Sequence, residues 1–340
     1  MIKNDRRKIG FGLVGTGAVA PFHIRAINKN KEARLVGVFS GSVSRGRYFA
    51  NKLRIKHYMK YSDMLKDDVI DVIDIITYNY LHADYAIEAI EYGKHVLVEK
   101  PIDIDLAKAQ RLIKLAEEKH RKLSCVSEFR FSPGITELRD LIKKDALGRV
   151  FLIDISLFLH RDDKYFLNSG GWRSKTELAG GGVLIMNAIH VIDILLWLFG
   201  PIKKIYVRKM NVRNYIEVEE CAGLLMELEN NILCLISATS AAAQEAPITI
   251  EVHGINGSVR LEDFTIIRNP GQNKVIRSFC LIDKIKKFIN KKSLFDICFY
   301  HQIKDIIDAI KEGREPVTNG TFGVDALKVI KKIYECCNSD

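Results

Sequence analysis

Over residues 8–128, short β-branched runs alternate with longer amphipathic ones, and this alternation constrains the fold more than any other feature. KIGFGLV (8–14), RLVGVFS (34–40), VIDIIT (72–77), HVLVEK (95–100) and KLSCVSE (122–128) read as strands. Helical periodicity fills the intervals at 19–30, 44–53, 80–92 and 103–121, with Asp103 placed to cap the last. Strands alternating with helices need crossover connections, so an α/β, doubly wound parallel sheet is expected.

From about residue 130 the pattern changes. A helix over 133–143 leads into a long strand, VFLIDISLFL at 150–159. A helix over 186–199 then precedes KIYVRKM, CAGLLMEL, ILCLISATS, ITIEVHG and SVRLEDF, and helices return at 299–312 and 323–336. Sequential strand-like runs joined by short turns predict a large, mostly antiparallel open sheet. A chain of 340 residues is long for one core. Two domains are expected: 1–128, and an α+β domain over 129–340 whose open sheet face favours a homodimer or homotetramer.

Composition narrows the partners. Hydrophobic residues make up 47% of the chain, enough for large cores. Lys and Arg number 52 against 42 Asp and Glu, dispersed through helical patterns without a basic arm. That argues against nucleic acid and favours an acidic small molecule. The seven cysteines are odd in number and form no C-x-x-C pair, so neither a disulfide framework nor a metal site is expected. The polar start MIKNDRRKIG is unlike a signal peptide, and the apolar stretch 183–200 contains Asn187, His190 and Asp193. A buried helix, no membrane contact and a cytoplasmic address are the expectation.

Between the first strand and first helix lies Gly15-Thr16-Gly17-Ala18-Val19-Ala20, the G-x-G-x-x-A form of the dinucleotide fingerprint. The first glycine permits a tight turn, the second lets the backbone approach a pyrophosphate, and the helix N-terminus faces its charge. The acid that usually holds the ribose hydroxyls, about 20 residues on, is replaced by Ser40. With Gly41, Ser42, Arg45 and Arg47 nearby, NADP is slightly favoured over NAD.

Glu99-Lys100-Pro101 follows a buried strand. There a lysine points into the cofactor crevice, and desolvation would lower it toward a proton-transfer role. A cis proline suits the turn. Further on, Gly180-Gly181-Gly182 precede a helix carrying His190 and Asp193, three apart on one face. The glycines are expected to admit a bulky ligand and the carboxylate to fix the imidazole tautomer.

This combination resembles the Gfo/Idh/MocA (glucose–fructose oxidoreductase and inositol dehydrogenase) family. The matching pieces are Gly15-Thr16-Gly17, Thr77-Tyr78-Asn79 with His82, Gly93-Lys94-His95-Val96 into Glu99-Lys100-Pro101, and Phe129-Arg130-Phe131. They continue through Gly148, Trp172-Arg173 and Gly180–Gly182 to His190 with Asp193, covering about residues 8–335. Two departures stand out. The family's T-P-N reads Thr77-Tyr78-Asn79, and its acid four residues before the histidine is Met186, with Asn187 one place later. One residue turns an α-helix by roughly 100°, which moves Asn187 off that point.

The resemblance implies a Rossmann domain followed by an α+β domain, and reversible hydride transfer between NAD or NADP and a secondary hydroxyl of a sugar, cyclitol or nucleotide sugar. Lys100 and His190 would be catalytic. Gly15, Thr16, Gly17, Ala18, Val19, Ser40, Gly41, Ser42, Arg45, Thr77, Asn79, His82, Glu99 and Lys100 would hold the cofactor. Lys100, Arg130, Trp172, Arg173, Asn187 and His190, with Arg161 in reserve, would face the substrate. The alternatives on the same fold are an NAD-dependent glycoside hydrolase and a non-catalytic NADP-sensing regulator.

Overall fold

The computed structural model describes residues 7–268 and 291–336. Of the cysteines, Cys125, Cys221, Cys234, Cys298 and Cys336 are free thiols, while Cys280 and Cys337 lie outside the described residues. In chain order the strands are β1 (Ile9–Val14), β2 (Ala33–Phe39), β3 (Lys56–Tyr58), β4 (Val72–Ile75), β5 (His95–Val98), β6 (Leu123–Cys125), β7 (Val150–Phe158), β8 (Ile202–Met210), β9 (Cys221–Leu228), β10 (Leu233–Thr239), β11 (Thr249–Gly254), β12 (Gly257–Glu262) and β13 (Thr265–Arg268). The helices are α1 (Ala20–Lys29), α2 (Val43–Leu53), α3 (Tyr61–Leu65), α4 (His82–Glu91), α5 (Leu106–Glu118), α6 (Pro133–Lys143), α7 (Asp163–Leu167), α8 (Thr176–Ala179), α9 (Ile189–Phe199), α10 (Lys291–Glu312) and α11 (Gly320–Cys336).

Two compact units result: 1–128 with 295–324, and 129–294 with 325–340. The first is a parallel six-stranded sheet in the order β3-β2-β1-β4-β5-β6. The order reverses direction between β1 and β4, and that switch point is where open α/β sheets take their ligands. Helix α5 is capped by Asp105, whose carboxylate accepts from the N–H groups of Ala107 and Lys108. Asp103, expected in that role, accepts instead from Ala83 and Asp105, tying the β5–α5 loop to α4. β3 and α3 have three and five residues, too short for a period to register.

Residues 295–324, expected in the second domain, complete the first. Phe299, Ile303, Ile306 and Ile307 of α10 pack on Phe11, Leu97 and Val126 in one buried cluster. An amphipathic stripe reveals that a helix covers something apolar, not which sheet it covers.

The second unit is a seven-stranded sheet in the order β13-β12-β11-β7-β10-β9-β8. Every pairing is antiparallel except β7 with β10. Burial alternates along β9 and β10, as expected for a sheet covered on one face. Across the uncovered face Tyr206, Leu225 and Leu235 stand in register and are exposed. The helical stretch Thr176–Phe199 is the one among the described residues long and apolar enough to cross a membrane, and 67% of its most apolar window is buried inside the protein.

Candidate active site

In the first unit, all four segments expected at a cofactor emerge from the carboxyl ends of adjacent strands: Gly15–Val19 after β1, Ser40–Arg45 after β2, Thr77–His82 after β4 and Glu99–Pro101 after β5. Gly15 has φ +105°, and a Cβ there would lie 2.3 Å from the Ile76 carbonyl oxygen. Only glycine satisfies both demands. Helix α1 starts at once, with no side-chain cap at Val19 and no acid in its first turn. Pro21 carries no N–H and the Ala20 and Phe22 N–H groups donate to the Gly17 and Val19 carbonyls, so it is the helix dipole that suits an anion. This cradle fits a dinucleotide pyrophosphate.

Ser40 lies just beyond β2, its Oγ 3.2 Å from Thr16 Oγ1 and accepting from the Ser42 N–H at 3.3 Å. Ser42 in turn caps α2, and Gly41, Arg45 and Arg47 are exposed. Tyr78, in the family's proline position, has φ −75° and ψ 144°, dihedrals a proline would also adopt. Its ring stacks on Tyr80 at 6.0 Å. Losing the proline therefore leaves the chain path intact.

Asn79 and His82 are both buried. The His82 ring donates from Nδ1 to the Pro101 carbonyl oxygen at 2.7 Å, and its Nε2 is 3.4 Å from the Thr77 carbonyl oxygen. Burial lowers its pKa, favouring the neutral ring. His82, expected at the cofactor, braces the two loops through their backbones. Lys100 is half-buried on the turn made by a cis Lys100–Pro101 bond.

A network absent from the sequence reading lies beneath that turn. His23 of α1 is fully buried, its Nδ1 2.9 Å from Asp74 Oδ2 and its Nε2 3.0 Å from Glu99 Oε1. A neutral imidazole has one N–H, so contacts to two carboxylates call for the imidazolium. Burial opposes that charge, but the two carboxylates outweigh it and hold His23 up to about 10. Glu99, lowered despite burial by His23 and by the Lys100 charge, accepts from the Lys100 N–H at 3.1 Å through its other oxygen. Glu99 is thus engaged with α1 and its own turn, where a cofactor contact was expected.

Burial, then the charge on Glu99, pushes the Glu128 carboxyl up to about 8. The native state then keeps a proton that the unfolded chain releases above its ordinary value of 4.5, so stability falls as pH rises from 4.5 to about 8. Glu128→Gln removes this loss. Its melting midpoint should gain on the parent between pH 5 and pH 8.5; an unchanged difference would show that Glu128 is not held protonated.

In the second unit, His190 is half-buried near the start of α9, its ring edge-on to Phe129 at 5.1 Å. Asp193 binds Arg130, accepting from Nε at 2.8 Å and Nη2 at 2.5 Å. Arg130 is 1% exposed and also faces Trp197. It is a buried clamp on α9, where a substrate contact was expected.

Gly180 ends α8 in a left-handed conformation. A Cβ on Gly181 would lie 1.9 Å from the Tyr334 hydroxyl, and one on Gly182 1.8 Å from the Glu219 carbonyl oxygen. These glycines admit the chain's own residues, correcting the expected bulky ligand. Leu184–Ala188 form a π-helical turn closed by Ile189 N–H to Leu184 O. Met186 and Asn187, both half-buried, thus lie on a wider turn than the α-helix assumed from sequence, and such turns are frequent at functional sites. The Arg173 guanidinium packs on Trp172 at 4.5 Å and Tyr165 at 4.8 Å, while Arg161 pairs with Glu245.

Comparison with known proteins matches residues 9–127 to the "Oxidoreductase family, NAD-binding Rossmann fold" and residues 135–260 to the "GFO/IDH/MocA C-terminal domain". The chain belongs to the GFO/IDH/MocA oxidoreductase family. It is similar to inositol 2-dehydrogenase of Rhizobium meliloti (strain 1021), 24% identical with 94% of each chain covered. It is also similar to glucose-6-phosphate 3-dehydrogenase of Bacillus subtilis, 25% identical over 72% of this chain and 71% of that one. The WlbA dehydrogenase from Bordetella pertussis, solved with NADH and UDP-GlcNAcA, has the same fold, with TM-score 0.90, 24% identity and coverage of 98% and 96%. Membership makes this protein an NAD-binding oxidoreductase.

Proposed function

We propose that this family member transfers hydride between a nicotinamide dinucleotide and a secondary hydroxyl of a sugar, cyclitol or nucleotide sugar, in the cytoplasm. The carrying observation is the convergence of the glycine turn, the Thr77 loop and the Lys100 turn at the carboxyl ends of β1, β4 and β5. The dinucleotide, when bound, supplies the two-electron donor or acceptor. The chain's own residues hold the hydroxyl and move its proton. In oxidation the O–H bond yields its proton to Lys100 or His190, the C–H hydrogen leaves with its electron pair, and a carbonyl forms; reduction runs in reverse. Reduction of NADP and NAD across cyclitols, sugar phosphates and nucleotide sugars tests this. Tightly held NAD that never exchanges, with glycoside cleavage and no net reduction, would favour the hydrolase alternative instead.

NADP preference rests on Ser40 and on a wider feature. No Asp or Glu occurs between Glu32 and Asp63, a stretch holding seven Lys and Arg. Tighter binding of NADP than NAD is expected, with the order reversed in Ser40→Asp by repulsion of the 2′-phosphate. Equal affinities in both proteins would defeat the preference.

Self-association follows from the sheet face carrying Tyr206, Leu225 and Leu235, which are 53%, 36% and 38% exposed. A contiguous apolar patch of this kind marks an interaction site. Sedimentation should show a dimer or tetramer at micromolar concentration, weakened by Leu225→Lys. A parent protein sedimenting at 38.7 kDa would refute it.

A further inference from the structure

We propose that His23 is a positioning residue for Lys100, acting through Glu99. The proposal rests on the reading of Lys100 as a proton-transfer group. His23 is the fourth residue of α1, the helix that begins just after the dinucleotide glycines. Its two ring nitrogens reach carboxylates on two different strands' chains: Asp74 within β4 and Glu99 just past β5. Glu99 spans the gap between them and the turn, with Oε1 on His23 and Oε2 on the Lys100 N–H.

The architecture carries a cost that packing alone would not require. Asp74 Oδ1 is buried without a hydrogen bond, and a buried ion cluster is usually no more stable than apolar residues of the same volume. What such a cluster supplies is direction. An imidazolium donating along two divergent N–H bonds orients the Glu99 carboxylate, and an oriented carboxylate steadies the backbone from which Lys100 projects. The groups facing His23 are Asp74, Glu99 and the Phe299 ring at 4.7 Å, with Glu128 and Lys100 next beyond Glu99. Within this cluster, His23 is the group whose protonated ring offers two divergent N–H donors. Glutamine at position 23 can serve one carboxylate and leaves the other unheld.

The test combines a substrate-free readout with a double-mutant cycle. Acylation of Lys100 by an N-hydroxysuccinimide acetate ester, followed by peptide mapping, reports the placement of the lysine directly. In His23→Gln the acylation rate should change at least about threefold and kcat should fall on the order of 10–10²-fold, the scale of a misplacement near 1 Å, with NADH affinity near that of the parent. In His23→Gln/Lys100→Met the loss should be no larger than in Lys100→Met alone, because residues acting as a unit are non-additive. A purely structural histidine would give multiplying losses, and that result, or folded His23→Gln with an unchanged acylation rate, overturns the proposal. If His23→Gln does not fold, Glu99→Gln cuts the same link with its shape preserved and carries the same expectations. Should Lys100→Met keep full turnover, the reading of Lys100 fails, and the acylation arm still decides whether His23 places the turn.

Discussion

Glu219→Ala is expected to lower the stability of this protein by about 3–5 kcal/mol, because three buried donors lose their acceptor at roughly 1–3 kcal/mol each. The Glu219 carboxylate is buried and accepts from the Gly182 N–H at 2.9 Å, the Leu184 N–H at 3.0 Å and the Tyr334 hydroxyl at 2.9 Å. Its own carbonyl accepts from the Val183 N–H at 2.9 Å. One residue thus satisfies the leading donors of the helical segment that carries His190 and anchors α11 to it. Alanine leaves all three donors without this acceptor, and each stranded donor costs roughly 1–3 kcal/mol. Urea unfolding measures the loss. Tyr334→Phe removes the hydroxyl and leaves the two backbone donors on Glu219, so it should cost less, about 1.5 kcal/mol. A loss below that value in Glu219→Ala would mean that the helix start is held by something other than this carboxylate.

The strand–helix alternation placed the first sheet correctly because each crossover leaves a mark in the periodicity. The glycine turn was legible for a related reason: Gly15 meets a backbone constraint that a Cβ would violate. Lys100 stands out in the sequence because it follows a buried strand, and it lies on the turn after β5. What stayed hidden depends on contacts far apart in sequence. His23 and Asp74 are 51 residues apart, and Tyr334 and Glu219 are 115 apart. The signals were faint but present: a histidine among apolar helix positions, and Asp74 inside the run VIDI, where a charge needs a partner. Gly181 and Gly182 were noticed for the right property and assigned to the wrong neighbour, since a missing Cβ does not say what occupies its space. Arg130 is expected at the substrate and Asp193 beside the His190 ring, yet they also satisfy one another. The basic stretch from Ala33 to Ser62 does not register in the overall charge, which averages it with acids elsewhere in the chain.

Lys100→Met should reduce turnover on the order of 10²–10⁴-fold, the span for losing a positioned acid or base, with cofactor affinity close to that of the parent. The separation of the two effects follows from the geometry. The phosphate cradle is made by Gly15, Gly17 and the start of α1, and none of it uses the lysine side chain. The Lys100 backbone remains tied to Glu99, because that bond comes from the main-chain N–H. Methionine keeps the length and apolar stem and removes only the amine proposed to exchange a proton. His190→Asn supplies the ranking. A smaller loss than in Lys100→Met makes His190 an orienting group, held edge-on to Phe129; a larger one makes it the base. Near-normal turnover in Lys100→Met, with chemistry rate-limiting and a verified substrate, would leave the lysine a structural residue of its turn. Proton transfer would then fall to His190, because Asn187, close by in the π-helical turn, can hydrogen-bond a hydroxyl but has no titratable proton to exchange.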